Sequence, residues 1–164
     1  MVVLGIDPGS LATGWGVLEG EGARTQVVDY GVLRTPKGAL LPKRLAAIHD
    51  GLGEVFVKHR PASCALESLF YSKNIQTAFV IGEARGVALL ASEKAGVPVF
   101  EYAPAEVKQA VTGRGQASKA QVGYMIRRLL ALPEDPPEDA CDALAIALCH
   151  LTRGKARRRM SKAR

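Results

Sequence analysis

Residues 2–35 read VVLGIDPGSLATGWGVLEGEGARTQVVDYGVLRT. Val2 to Ile6 is a short apolar run that stops at Asp7-Pro8-Gly9-Ser10, a turn signal, so it reads as a buried strand. Gly14 to Val17 and Thr25 to Thr35 are rich in Val, Thr, Trp and Tyr, with Gly20-Glu21-Gly22 between them. They read as a hairpin continuing from the first strand. Three strands therefore open the chain, the second and third antiparallel.

The pattern then changes period. Leu41, Leu45, Ile48, Leu52, Val55 and Phe56 recur at spacings of three and four, which predicts a helix ended by Pro61. Ala62 to Leu66 is a fourth strand, closed by Glu67. Residues 76–95 form a long helix whose Gly82, Ala84, Gly86 and Ala88 permit close packing. Val97 to Tyr102 is a fifth strand. Pro104 opens a short helix as a first-turn proline, and Gly113-Arg114-Gly115 breaks it. Ser118 is placed as the N-cap of a helix through Leu132. After a loop over 133–137, a last helix runs from Pro137 to Thr152. The order is β-β-β-α-β-α-β-α-α-α, an α/β chain with no internal repeat.

Composition fits a soluble globular protein: 48% hydrophobic and 23% charged residues. No apolar run reaches the ~18 residues of a membrane span, and the N-terminus carries no basic segment of the kind that starts a secretory signal. Cys64, Cys141 and Cys149 are an odd set with no C-x-x-C pair and no histidine at metal spacing. They read as buried small hydrophobes in a reducing compartment, which places the protein in the cytoplasm. The net charge of +6 is concentrated at one end. Residues 153–164 hold seven basic side chains and no acid, leaving residues 1–152 with 15 basic and 16 acidic residues. The expected organisation is one domain over 1–152 and a basic, flexible tail that attracts polyanions over 153–164.

Four acids stand out on these elements. Asp7 and Glu67 each follow an apolar strand, at the carboxyl end where ligand sites of α/β sheets gather. Asp139 and Asp142 share a face at the start of the last helix. Each has a plain alternative: Asp7 as a turn former, Asp139 as a helix-dipole partner. Glu67 fits poorly in either strand or turn. Unpaired carboxylates after apolar runs are costly, and a divalent cation compensates them. Oxygen-only donors select Mg²⁺ or Mn²⁺. Two such ions roughly 3.5–4 Å apart would support hydrolysis of a phosphodiester by in-line attack.

The segments GIDPGSLATGWGV, ALESLFYSKN, ARGVALLA, PVFEYAPAEVKQAVTGRGQASKAQV and EDACDALAIALCH resemble, in order and spacing over about residues 2–151, those of the RuvC-type Holliday-junction resolvases of the RNase H-like (retroviral-integrase) superfamily. The resemblance implies an RNase H-like fold, a central five-stranded mixed sheet flanked by helices. It implies a homodimer that cuts two like-polarity strands of four-way junction DNA, working with a RuvA–RuvB branch-migration complex. It maps the catalytic, metal-holding carboxylates onto Asp7, Glu67, Asp139 and Asp142, and the catalytic lysines onto Lys108 and Lys119. It maps a base-stacking aromatic onto Phe70, with Tyr71 beside it. Lys73 follows as a DNA contact alongside Lys108 and Lys119, with Asn74, Arg85, Arg114, Ser10 and Thr13 as weaker candidates for phosphate contact. Two other readings stay open on the residues alone. One is a nucleotide-binding module related to sugar kinases and actin, which also start with a strand and an acidic Gly-rich turn. The other is a nuclease acting on RNA, or a silent DNA-binding relative.

Overall fold

A computed structural model describes residues 1–21, 24–68 and 75–161. The elements are β1 (Val2–Asp7), β2 (Ala12–Glu21), β3 (Arg24–Arg34), α1 (Leu41–His59), β4 (Ser63–Glu67), α2 (Ile75–Lys94), β5 (Val99–Tyr102), α3 (Pro104–Thr112), α4 (Lys119–Leu129) and α5 (Glu138–Ser161). They form one five-stranded sheet in the order β3-β2-β1-β4-β5. The β1–β2 and β2–β3 pairs are antiparallel, while β1–β4 and β4–β5 are parallel. This is the mixed five-stranded sheet that the resemblance implied.

Both faces of the sheet are covered, which is why β1 and β4 read as continuous apolar runs instead of alternating ones. Leu4, Ile6, Cys64 and Leu66 point to α1 and α2, where they meet Ile48, Leu52, Ala84 and Ala88. Val3, Ala65 and Tyr102 point the other way, to α3, α4 and above all α5. Strand periodicity of two puts Asp7 on the side of Val3, and Glu67 on the side of Ala65. Both acids therefore face α5.

The contact between α5 and the sheet is made at backbone distance. A Cβ added at Gly5 would overlap the carbonyl oxygen of Ala143, one at Gly14 would overlap that of Asp139, and one at Gly16 would collide with the Leu144 side chain. Small residues on the helix, Ala140, Ala143 and Ala147, are fully buried along this seam.

Several boundaries differ from expectation, among them the start of β5, which is Val99 instead of Val97. The helix placed through Leu132 ends at Leu129, and the chain turns away at Ala131 in the left-handed region (φ 50°). The cap is as expected: Ser118 Oγ accepts from the Gln121 N–H, and Gln121 Oε1 accepts from the Ser118 N–H. The last helix continues past Thr152 to Ser161, because Lys, Arg and Ala favour helix and the expected stop was only a change from apolar to basic composition. The second strand starts at Ala12, two residues before the expected Gly14.

Cys64, Cys141 and Cys149 are all buried. Burial pushes Cys64 up to about 12 and Cys141 up to about 11, so neither is a thiolate at neutral pH. Among the described residues, no helix is long and apolar enough to cross a membrane.

Candidate active site

Asp7 ends β1 directly beside the end of β4. The parallel register pairs Ile6 with Leu66, so the next residues in line are Asp7 and Glu67. On its other side Asp7 pairs with Gly14 of β2, the glycine on which the Asp139 backbone rests. Two strand ends and one helix start are thereby brought to one place, and Asp142 follows Asp139 by about one turn of α5.

Electrostatics report the same convergence. The Asp7 carboxyl is pushed up to about 7, first by burial and then by the negative charges of Asp142, Glu67 and Asp139. Glu67 is also raised, by burial and by Asp142, while Lys108 and Lys119 pull it back. Lys119 donates to Asp142 Oδ2 at 2.9 Å and to Glu138 Oε1 at 2.8 Å. These bonds hold its ammonium well above the usual lysine range and hold Glu138 below the usual carboxylate range. All four sequence-predicted acids and both lysines thus belong to one field. Among the described residues, no three His, Cys, Asp or Glu side chains are grouped closely enough to hold an ion as they stand. The acids are electrostatic neighbours, with Asp142 turned to Lys119.

The donor set still fits a hard divalent cation. Every candidate ligand is a carboxylate oxygen, and a buried carboxyl raised by three negative neighbours is a charge arrangement that a cation relieves.

Gly14 makes this placement testable. Gly14→Ala is expected to displace the first turn of α5, lowering stability by about 1–3 kcal/mol through overpacking and reducing cleavage by more than that loss explains. Thermal melts alongside cleavage rates on folded protein check this. A variant with parental rates would show that Asp139 is not held by this contact.

Other predicted contacts fall elsewhere. Arg85, expected to touch phosphate, is only 7% exposed. Its guanidinium donates to the Glu67 carbonyl oxygen at 2.6 Å and pairs with the Glu101 carboxylate. Its charge is spent inside the fold, where it holds the end of β4. Ser10 and Thr13 are also buried. Thr13 Oγ1 donates to the Gly9 carbonyl at 2.8 Å and accepts from the Gly9 N–H, bracing the turn after Asp7, while Ser10 Oγ accepts from Arg44. Arg114 is exposed after α3. Phe70, Tyr71, Lys73 and Asn74 lie outside the described residues.

The sequence reading passed over Tyr124. It is 59% exposed, with the Arg128 guanidinium 5.7 Å from its ring centre. An open groove of about 780 Å³ joins Lys119 and Asp142 to Tyr124, Arg127 and Arg128. The signal available was an aromatic off the apolar face of α4.

With this geometry in hand, comparison with known proteins is direct. The family described as Crossover junction endodeoxyribonuclease RuvC matches residues 3–150. A relative of that name from Halorhodospira halophila is 54% identical over 148 residues, covering 90% of this chain and 88% of its own. One from Alkalilimnicola ehrlichii is 48% identical over 161 residues, covering 98% and 97%. The solved structure of T. thermophilus RuvC in complex with a Holliday junction substrate superimposes with a TM-score of 0.89 at 39% identity, covering 95% of this chain and 96% of that one. The yeast mitochondrial Holliday junction resolvase Ydc2, at 15% identity and TM-score 0.65, shares the fold. The chain belongs to the RuvC family of crossover junction endodeoxyribonucleases.

Proposed function

We propose that the protein is the structure-specific endonuclease that resolves Holliday junctions in recombination and repair, by divalent-metal-dependent phosphodiester hydrolysis in two strands of like polarity. The observation that supports this reading is the charge coupling of Asp7 to Glu67, Asp139 and Asp142 from three elements, with Lys119 bonded to Asp142 and Lys108 acting on Glu67. Asp7, Glu67, Asp139 and Asp142 are the groups that would hold Mg²⁺, or Mn²⁺ in its place, as two ions per site. Ions held there would supply Lewis acidity, lowering the pKa of water and offsetting negative charge on phosphate oxygens.

The chain's own residues do the rest. Lys119 presents a fixed positive charge at the edge of the cluster, and Lys108 adds a second, both placed to balance charge that grows on the phosphate in the transition state. Burial of Asp7 strengthens its interactions by excluding water. Tyr124 and Arg128 offer a surface on which a flanking base can stack. Phe70 and Tyr71, next to Lys73 and Asn74, are the proposed stacking and backbone contacts nearer the crossover, with Arg114 a further phosphate contact.

A homodimer suits the substrate, since two-fold related sites meet two-fold related phosphates. Cooperation with a RuvA–RuvB complex and a cytoplasmic location complete the proposal. The basic residues after Arg153 add attraction to phosphates that carries no sequence information. Arg153 itself is tied to Glu106 and Gln109 on α3.

The test is incubation with a synthetic four-way junction, a matched linear duplex and an RNA–DNA hybrid, each in Mg²⁺, Mn²⁺ or chelator. Paired symmetric nicks are expected in the junction alone, and only with an ion. Equal cutting of duplex or hybrid, or persistent cutting in chelator, would overturn the proposal. Deleting residues 154–164 is expected to weaken junction binding and flatten its dependence on salt, with turnover of bound junction kept. A collapse of that turnover would instead give the segment a part in the chemistry.

A further inference from the structure

His150 lies on α5 roughly two turns beyond Asp142 and is fully buried. Nothing in the proposed chemistry uses it. Its Nε2 is 2.9 Å from Ser63 Oγ and its Nδ1 is 2.7 Å from the Tyr102 hydroxyl. Its ring packs against Phe100, centroids 4.7 Å apart, and edge-on to Tyr102. A neutral imidazole offers one donor and one acceptor, and a hydroxyl can play either part, so both ring nitrogens are satisfied whichever tautomer is present.

The partners sit where they matter. Ser63 begins β4 and Glu67 ends it. Tyr102 ends β5 and is the residue paired with Glu67 across the parallel ladder, and the Ser68 N–H donates to the Tyr102 carbonyl at 2.8 Å. The hydrogen-bonded chain Ser63–His150–Tyr102 therefore ties the helix that carries Asp139 and Asp142 to the strand pair that carries Glu67. The rest of this interface is apolar, with Gly5, Gly14 and Gly16 set against α5 beside buried Val3, Leu144 and Leu148, and none of those contacts is a directional bond. Directional bonds on both sides of one ring fix both the slide and the rotation of α5. From the opposite face of the sheet, Arg85 fixes the end of β4 through the Glu67 carbonyl.

We infer that Ser63, His150 and Tyr102 are positioning residues that set the gap between Glu67 and the α5 carboxylates, and so set how tightly the cluster holds divalent cations. This rests on the carboxylate site proposed above.

The experiment is calorimetric titration of Mn²⁺ into the full chain without DNA, with melts in chelator and single-turnover junction cleavage measured on the same samples. Tyr102→Phe removes one hydroxyl and keeps the ring. It is expected to weaken ion binding about tenfold, the usual scale for partners that orient metal ligands. Cleavage should fall in parallel and recover as Mn²⁺ is raised, with junction affinity in chelator unchanged. Ser63→Ala frees the other ring nitrogen and is read in the same way, so either variant decides the matter if the other fails to fold. Ser92→Ala is the control. It deletes a buried hydroxyl bonded to the Val97 carbonyl and to the Cys64 thiol on the face of β4 turned away from α5, and is expected to lower the melting temperature with ion affinity unchanged. Parental ion affinity in Tyr102→Phe or Ser63→Ala, or an equal loss in Ser92→Ala, overturns the inference. A parent chain that binds no Mn²⁺ overturns the carboxylate site itself.

Discussion

Asp7→Asn is expected to stop junction cleavage, by about 10³-fold or more, while leaving the metal-free protein better folded at neutral pH. The two effects share one cause. The Asp7 carboxyl rises from 3.8 to about 7 on folding because it is buried among three negative neighbours. A carboxyl raised by folding holds its proton more tightly in the native state. Its stability contribution is complete below about pH 4, then declines as pH climbs through 7. At about 1.4 kcal/mol per unit, the decline totals roughly 4–5 kcal/mol at most. Asparagine carries no charge and so removes that decline. Melts in chelator across pH 4 to 8 should show a flatter stability profile for Asp7→Asn than for the parent. The slope is the readout, because a buried amide has its own desolvation cost. Added Mg²⁺ should stabilise the parent more than the variant. Parallel pH profiles would mean that Asp7 is not in the field described, and near-parental cleavage would remove it from the reaction.

Lys119→Ala separates charge balance from ion holding. Lys119 is the cation bonded to Asp142 and Glu138, and its charge eases both Asp7 and Glu67. Its loss frees Asp142 to turn toward a bound ion and leaves the cluster more negative. Ion affinity should hold or rise. The rate on prebound junction should still fall about 10²–10³-fold, the cost of removing a preorganised positive partner from developing transition-state charge. Junction affinity should change only a few-fold, since one phosphate contact is a small share of the total. Single-turnover rates and ion titration on one preparation check this. A rate within threefold of the parent would assign Lys119 to packing the start of α4 against α5.

Much of this was legible in the residues, for identifiable reasons. Apolar runs bounded by Pro-Gly turns and a change of period from two to 3.6 delivered the strand and helix order. Acids stranded after apolar runs marked Asp7 and Glu67. What stayed hidden depends on partners distant in the chain. Arg85 sits among small residues that signal close packing, yet its commitment to Glu67 and Glu101 needs β4 and β5 in place. His150 closes an apolar run and its partners lie on β4 and β5, so neither periodicity nor spacing could join them. The end of α5 was misplaced because a change from apolar to basic composition does not stop a helix whose residues still favour it. The identification of Lys108 and Lys119 came from resemblance. A helix lysine carries no local sign of the field it faces.

The glycine seam under α5 divides the molecule into a side that tolerates drift and a side that does not. Where backbone rests on backbone there is no cushion of side chains to absorb an extra methyl group, and any added atom is transmitted to the acids at once. On the opposite face α1 meets the sheet through Ile48, Leu52, Val55 and Phe56, bulky side chains that can be traded for one another at conserved volume. A laboratory lineage selected for heat resistance would thus collect its surviving substitutions among the α1 contacts, while the seam stayed silent through every round.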